Sequence, residues 1–287
     1  MNSLGIYEKA LPKNLTWDET LNLCKELGFN FFEMSIDESD ERLKRLYWTK
    51  SEREELRTAI CKTGVRIHTL MLSGHRRYPL GSMQEDIRNK SVDMLARAVD
   101  LASDLGIRNI QLAGYDVFYE PKSVQTRNYF MEGLSKIVEI AAKKQVMLSI
   151  ETMDDPFINS LSEVHEIKNQ IHSPWLQAYP DLGNLTAWLG TGIAVDLEEN
   201  VDNIVAVHLK DTLPVTSTYP GKFKNVPFGE GTVDFEGCLS TLKRLNYSGS
   251  FTIEMWSQES DNPIEQVKES KKYFDRIFKN VGITQEK

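Results

Sequence analysis

Four short stretches each set one acidic or imidazole side chain at or near the end of an apolar run. They are "VMLSIETMDD" with Glu151, "LQAYPDLGN" with Asp181, "IVAVHLKD" with His208 and "SFTIEMW" with Glu254. A carboxylate beside a core, with no cation in its local sequence, is costly unless something neutralises it. Taken singly, a glutamate at a strand end reads as a salt-bridge partner, and a histidine among apolar residues reads as hydrogen-bonded core. Taken together, three carboxylates and one imidazole are the donors of a divalent-cation site. The set is rich in oxygen and lacks thiolates. It suits Mn²⁺, Co²⁺, Mg²⁺ or a catalytic Zn²⁺ rather than a structural zinc cluster, and donor type alone does not choose among them. Glu33 in "FFEMSI" and His68 in "VRIHTL" are two further candidates, as substrate contacts or as core.

Such residues meet only if the chain brings its strand ends together. Eight strand-like runs recur: "LGIYEKAL", "NFFEMSI", "VRIHTLML", "RNIQLAG", "VMLSIET", "LQAYPDL", "IVAVHLKD" and "SFTIEMW". Amphipathic segments lie between them. "TWDETLNLCKELGF" has Thr16 as its N-cap and closes at Gly28, and "QEDIRNKSVDMLARAVDLASDLG" closes at Gly106. "VQTRNYFMEGLSKIVEIAAKKQ", "LSEVHEIKNQI", "DFEGCLSTLKRLNY" and "PIEQVKESKKYFDRIFKNV" repeat the scheme, while "TAWLGTGIAVDLEENVD" is short and mixed. Eight near-continuous apolar strands alternating with helices predict one α/β domain over residues 1–287, a (β/α)8 TIM barrel. A doubly wound sheet is the alternative, but no Gly-rich phosphate loop follows an early strand. In a closed barrel, ligands on four consecutive strands converge near the axis.

Composition narrows the partners. The net charge of −8 disfavours nucleic acid and anionic lipid, though one locally basic cleft would still admit a small anion. Three widely spaced cysteines, with no CxxC and no signal peptide, argue for buried small side chains and a cytoplasmic protein without membrane spans. Tyr47, Trp48 and Trp188 are candidate interface anchors or partly buried aromatics.

The strand ends "SIETMD", "YPDLGNLTAW", "VHLKDT" and "FTIEMW" resemble those of xylose-isomerase-like barrels, along nearly the whole chain. "LGIYEKALP", "LSGHRRYPLGS", "ETMDDPF" and "FKNVPFGEGTVDF" are similar to the L-ribulose-5-phosphate (L-xylulose-5-phosphate) 3-epimerases of bacterial L-ascorbate breakdown. The resemblance implies a metal-dependent isomerase that inverts C3 of a pentulose 5-phosphate. Glu151 and Glu254 would be metal ligands and also the two acid/base groups, acting through a metal-stabilised enediolate. Asp181 and His208 would be ligands only. A homodimer is the family expectation. An aldose–ketose isomerase, or another ketose 3-epimerase, is the alternative on the same site. Endonucleases of this fold carry more histidines and a basic groove, which five histidines and the acidic charge do not suit.

Free-sugar 3-epimerases of the superfamily tend to carry a histidine shortly after the strand-six ligand, where this chain has Asn184, and "ETMDDPF" lacks their second glutamate. Both differences favour a phosphorylated substrate. Two loops could meet its phosphate: "SGHRRYPLGS", with Ser73, His75, Arg76 and Arg77, and the loop after strand seven, with Lys210, Lys222 and Lys224. Tyr7, His68, Ser73, Arg76, Asn184 and Lys210 are thus the expected substrate contacts, and either loop could serve as a lid.

Overall fold

A computed structural model describes residues 1–258 and 260–286. The strands are β1 (Leu4–Tyr7), β2 (Phe31–Ile36), β3 (Arg66–Leu72), β4 (Asn109–Ala113), β5 (Met147–Glu151), β6 (Leu176–Tyr179) and β7 (Ala206–Leu209). A small hairpin follows, β8 (Leu213–Val215) and β9 (Pro220–Lys222), and then β10 (Ser250–Ile253). The eight barrel strands pair in the order β6-β5-β4-β3-β2-β1-β10-β7, all in parallel. Between β6 and β7 the ring closes through two isolated bridges, Ala178 to Ile204 and Asp181 to His208. The Val205 N–H donates to the Ala178 carbonyl at 3.1 Å, and the His208 N–H to the Pro180 carbonyl at 2.9 Å. The closing seam therefore runs through two of the candidate ligands.

The helices form where caps and apolar stripes coincide. Thr16 and Glu19 make a capping box for Trp17–Glu26, and Gly28 turns the chain with φ 81°. The helical look of the stretch around Cys61 is borne out by helix Lys50–Thr63, between β2 and β3. Half of its residues are charged and it buries only Leu56, Ala59 and Thr63, so the stripe does not give its bounds. Its capping box, Thr49 with Glu52, and its left-handed Gly64 were nonetheless readable signals. The mixed segment after β6 resolves into two helices, Leu182–Leu189 and Ile193–Asn200. The stripe residues and the outward faces of the strands make one contiguous core.

Trp48 packs on that core, edge-on to Trp17 at 5.9 Å, and the Trp188 indole N–H donates to the Met153 carbonyl at 3.1 Å. Neither is a free surface anchor, whereas Tyr47 is 55% exposed. All three cysteines are free; Cys24 and Cys238 are buried as expected, but Cys61 lies exposed on its helix. No helix among the described residues is long and apolar enough to cross a membrane.

The seam depends on a close approach. A Cβ at Gly183 would lie 2.5 Å from the Lys210 carbonyl oxygen and 2.7 Å from Thr212 Cγ2. The Gly183 carbonyl also accepts the Thr212 hydroxyl at 2.8 Å. Because the nearest obstacle is backbone, it cannot swing aside. We expect Gly183→Ala to cost about 1–3 kcal/mol. Urea denaturation should show a lower midpoint with an unchanged slope.

Candidate active site

Each strand delivers its ligand at the carboxyl end of the barrel. Glu151 is the last residue of β5, His208 the third of β7, and Glu254 the first beyond β10. Asp181 lies two residues past β6, where it caps helix Leu182–Leu189 by accepting the Asn184 N–H on Oδ1 at 2.6 Å. That bond occupies one carboxylate oxygen and leaves Oδ2 for the axis. The four side chains are buried, and each brings a donor atom within 4.8 Å of the others.

The cluster is short of positive charge. His208 Nδ1 stands 3.0 Å from Glu151 Oε1, 3.9 Å from Asp181 Oδ2 and 3.8 Å from Glu254 Oε2. Its Nε2 is 2.7 Å from Oε1 of Glu33, a fourth buried carboxylate. The Lys210 ammonium reaches Asp181 Oδ2 at 3.1 Å and Glu254 Oε2 at 3.0 Å. Even so, Glu151 Oε2 is buried without a hydrogen bond, and Asp181 Oδ2 and Glu254 Oε2 share the one Lys210 ammonium.

Burial pushes the Glu151 and Asp181 carboxyls above the usual carboxylate range. Burial acts the same way on Glu254, but Lys210 and His208 outweigh it and hold that carboxyl low. His208 is driven the other way: burial opposes its charge, yet Glu33 and Glu254 raise its pKa well above the ordinary histidine value. Three carboxylate oxygens and a ring nitrogen within 4.8 Å of one another fit a divalent cation. Such an ion would compete with the proton on Nδ1.

Above the cluster lies a cavity of about 30 Å³. Tyr7, Ser73, Arg76, Asn184 and Lys210 line it, as the sequence led us to expect. The Tyr7 hydroxyl is 3.0 Å from Ser35 Oγ. Asn184 donates from Nδ2 to the Thr152 carbonyl at 2.8 Å, which leaves its buried Oδ1 without a partner. Arg76 donates from Nη2 to Tyr115 Oη at 3.2 Å, and the Tyr115 hydroxyl donates in turn to Asp154. The buried Arg76 Nε has no partner. From the opposite loop Lys224 joins the lining, its ammonium 5.2 Å from the Trp256 ring.

Other expected residues stand apart. His68 is not at the mouth: β3 runs on to Leu72, so His68 sits at its amino end, stacked on Phe31 at 4.1 Å. The register shift at Phe32/Glu33 leaves it unpaired in the ladder. Arg77 is exposed and pairs with Asp40 at 2.6 Å, and Lys222 is exposed on β9. Buried His75 lies outside the lining, its pKa lowered to about 4 by burial. Glu33 lies behind the histidine and does not reach the cavity.

Lys9, Asp154, Phe223 and Trp256 also line the cavity and were not singled out beforehand. For two of them a signal existed. Lys9 follows Tyr7 by two residues and Trp256 follows Glu254 by two, the spacing that keeps side chains on one side of an extended chain.

The model of xylose isomerase-like TIM barrels matches residues 21–277. The chain belongs to this family. Its relatives include a putative L-ribulose-5-phosphate 3-epimerase SgbU of Haemophilus influenzae, 49% identical over 98% of both chains. The L-ribulose-5-phosphate 3-epimerase UlaE of Salmonella heidelberg is 46% identical over 98% of this chain and 97% of its own. Among solved structures, the 3-keto-D-glucoside 4-epimerase YcjR of E. coli superposes with a TM-score of 0.77 at 20% identity, over 96% of this chain and 100% of its own. An L-ribulose 3-epimerase superposes at 0.76 and 16%, over 98% and 96%. These two establish the shared barrel.

A cation held by the cluster would bind only the folded state and stabilise it by mass action, by about 2.7 kcal/mol at a hundredfold excess over Kd. We expect one equivalent of Mn²⁺ to raise Tm in calorimetry and a chelator to reverse the shift. Asp181→Asn should remove most of the response.

Proposed function

We propose that this family member is a metal-dependent 3-epimerase interconverting L-ribulose 5-phosphate and L-xylulose 5-phosphate. The observation that carries the reading is the placement of Glu151 and Glu254. Their strands, β5 and β10, lie three places apart one way around the eight-stranded ring and five the other, given the closing bridges between β6 and β7. The two carboxylates thus face the cavity from opposite sides. Both line it, and both have an oxygen free of hydrogen bonds. The names of relatives at 46–49% identity support the same reaction and substrate.

A divalent cation, when bound, polarises a carbonyl and stabilises the negative charge that develops on its oxygen. The chain does the rest. One glutamate removes the C3 proton, and the other returns a proton to the opposite face, which inverts the carbon. Ligation weakens a carboxylate as a base, so surrounding groups must retune it. Lys210 does this for Glu254, holding a fixed positive charge 3.0 Å from Oε2. Asp181 and His208 hold the cation and take no proton from the sugar.

The phosphate has a cationic rim to meet. Arg76, from the loop after β3, and Lys224, from the segment after β9, converge on one cavity. Tyr115 and Asp154 brace the guanidinium, whose planar donors suit two phosphate oxygens at once. The cavity of about 30 Å³ is far below the roughly 300 Å³ or more of a typical ligand pocket. One or both loops must therefore lift to admit the sugar and settle again to exclude water.

Proton NMR of L-ribulose 5-phosphate with the protein and Mn²⁺ in D₂O tests the reaction. The C3 proton signal should vanish as L-xylulose 5-phosphate grows, and a chelator should stop both. Deuterium entering at C1 with an aldose appearing would make the chain an isomerase instead. No exchange with metal bound would refute the substrate. Glu151→Gln and Glu254→Gln should each lower kcat by about 10²–10⁴-fold with unchanged circular dichroism. A variant keeping a tenth of the activity would sink the two-base scheme. Arg76→Gln should raise KM for the phosphorylated ketose by about 10- to 100-fold. The same change should leave turnover of free L-ribulose unaltered.

A further inference from the structure

The ring of His208 stands between two carboxylates, and only one of them belongs to the cluster. Nδ1 faces Glu151 Oε1 at 3.0 Å on the cluster side. Nε2 faces Glu33 Oε1 at 2.7 Å on the far side. Glu33 Oε2 accepts the Tyr179 hydroxyl at 2.8 Å, and Tyr179 Oη is 3.1 Å from Thr252 Oγ1. Since Tyr179 gives its proton to Glu33, the Thr252 hydroxyl is the donor to Tyr179. All of these side chains are buried, on β2, β5, β6, β7 and β10.

A buried carboxylate has to be met by donors. The groups that face Glu33 are the Tyr179 hydroxyl and the imidazole. The imidazole must therefore present an N–H at Nε2, so Nδ1 is the nitrogen left to face the cluster. Without an ion, a proton on Nδ1 meets Glu151 Oε1 at 3.0 Å; a bound cation would take that proton's place and accept the Nδ1 lone pair. We propose that Glu33 is a positioning residue: it fixes His208 with its proton on Nε2, so that Nδ1 is the nitrogen that takes the metal. Glu33 does not line the cavity, so this role is separate from any contact with substrate. The inference rests on the metal reading of the cluster and not on the identity of the sugar.

The test needs only metal. Mn²⁺ is titrated into the wild-type protein, Glu33→Leu and Glu33→Gln without sugar, with free Mn²⁺ read by electron paramagnetic resonance. We expect Glu33→Leu to weaken binding about 10- to 100-fold. Glu33→Gln keeps an acceptor for Nε2 but drops the charge, and should fall between. In ¹⁵N spectra of the Zn²⁺-loaded protein, His208 Nε2 should carry a slowly exchanging proton in the wild type that Glu33→Leu loses. Only five histidines contribute, and His208→Asn assigns the signal. Both variants binding Mn²⁺ like the wild type would overturn the assignment. Should Glu33→Leu fail to fold, wild-type affinity in Glu33→Gln overturns it by itself. A wild type that takes up no Mn²⁺ would bring down the metal reading first, and this inference with it.

Discussion

Four carboxylates are buried at one end of this barrel, and the need to balance their charge organises the rest. Glu33, Glu151, Asp181 and Glu254 are each at most 2% exposed. Against them the fold sets one lysine and one imidazole. Desolvated charges of like sign, a few ångströms apart, are tolerable only when paired or when they hold a metal. Glu151 Oε2 has no hydrogen-bond partner, and one lysine is shared between Asp181 Oδ2 and Glu254 Oε2, so the protein's own cations fall short of the four carboxylates.

Holding that cluster together is a matter of closure. The seam between β6 and β7 has the sparsest pairing in the ring, yet it carries Asp181 and His208 as a bridge pair. The Asp181 cap, the backbone contact that only Gly183 permits and the Thr212 hydroxyl bond reinforce it. Stability and ligand geometry are thus the same interactions here. The Glu33–Tyr179–Thr252 chain adds a second constraint, on the orientation of one ring rather than on the backbone.

Charge is also distributed unevenly around the mouth. A chain of net charge −8 gathers Lys9, Arg76, Lys210 and Lys224 around one small cavity. Lys9 and Lys210 are paired with carboxylates there, which leaves Arg76 and Lys224 as the cations nearest to free for an anion. Under the proposed reaction, these cations would draw an anionic substrate toward the cavity that Glu151 and Glu254 line.

The eight strands and the four side chains that cluster at their ends were legible because both rest on local pattern: apolar runs of strand length that end near an ionisable residue. The bounds of helix Lys50–Thr63 around Cys61 were not, because its many charges hide a three-residue stripe whose value depends on what it packs against. His68 misled for a related reason. The bulge opposite Phe32/Glu33 is a property of two strands in register and has no signature in either one. The sequence by itself determined the fold class, the donor set and the two loops that carry cations. Tertiary structure alone decided that those loops share one cavity, that Asn184 is tied to Thr152, and that Glu33 backs a histidine 175 residues away. Contacts of that separation are made by barrel closure, and closure is a constraint on all eight strands at once.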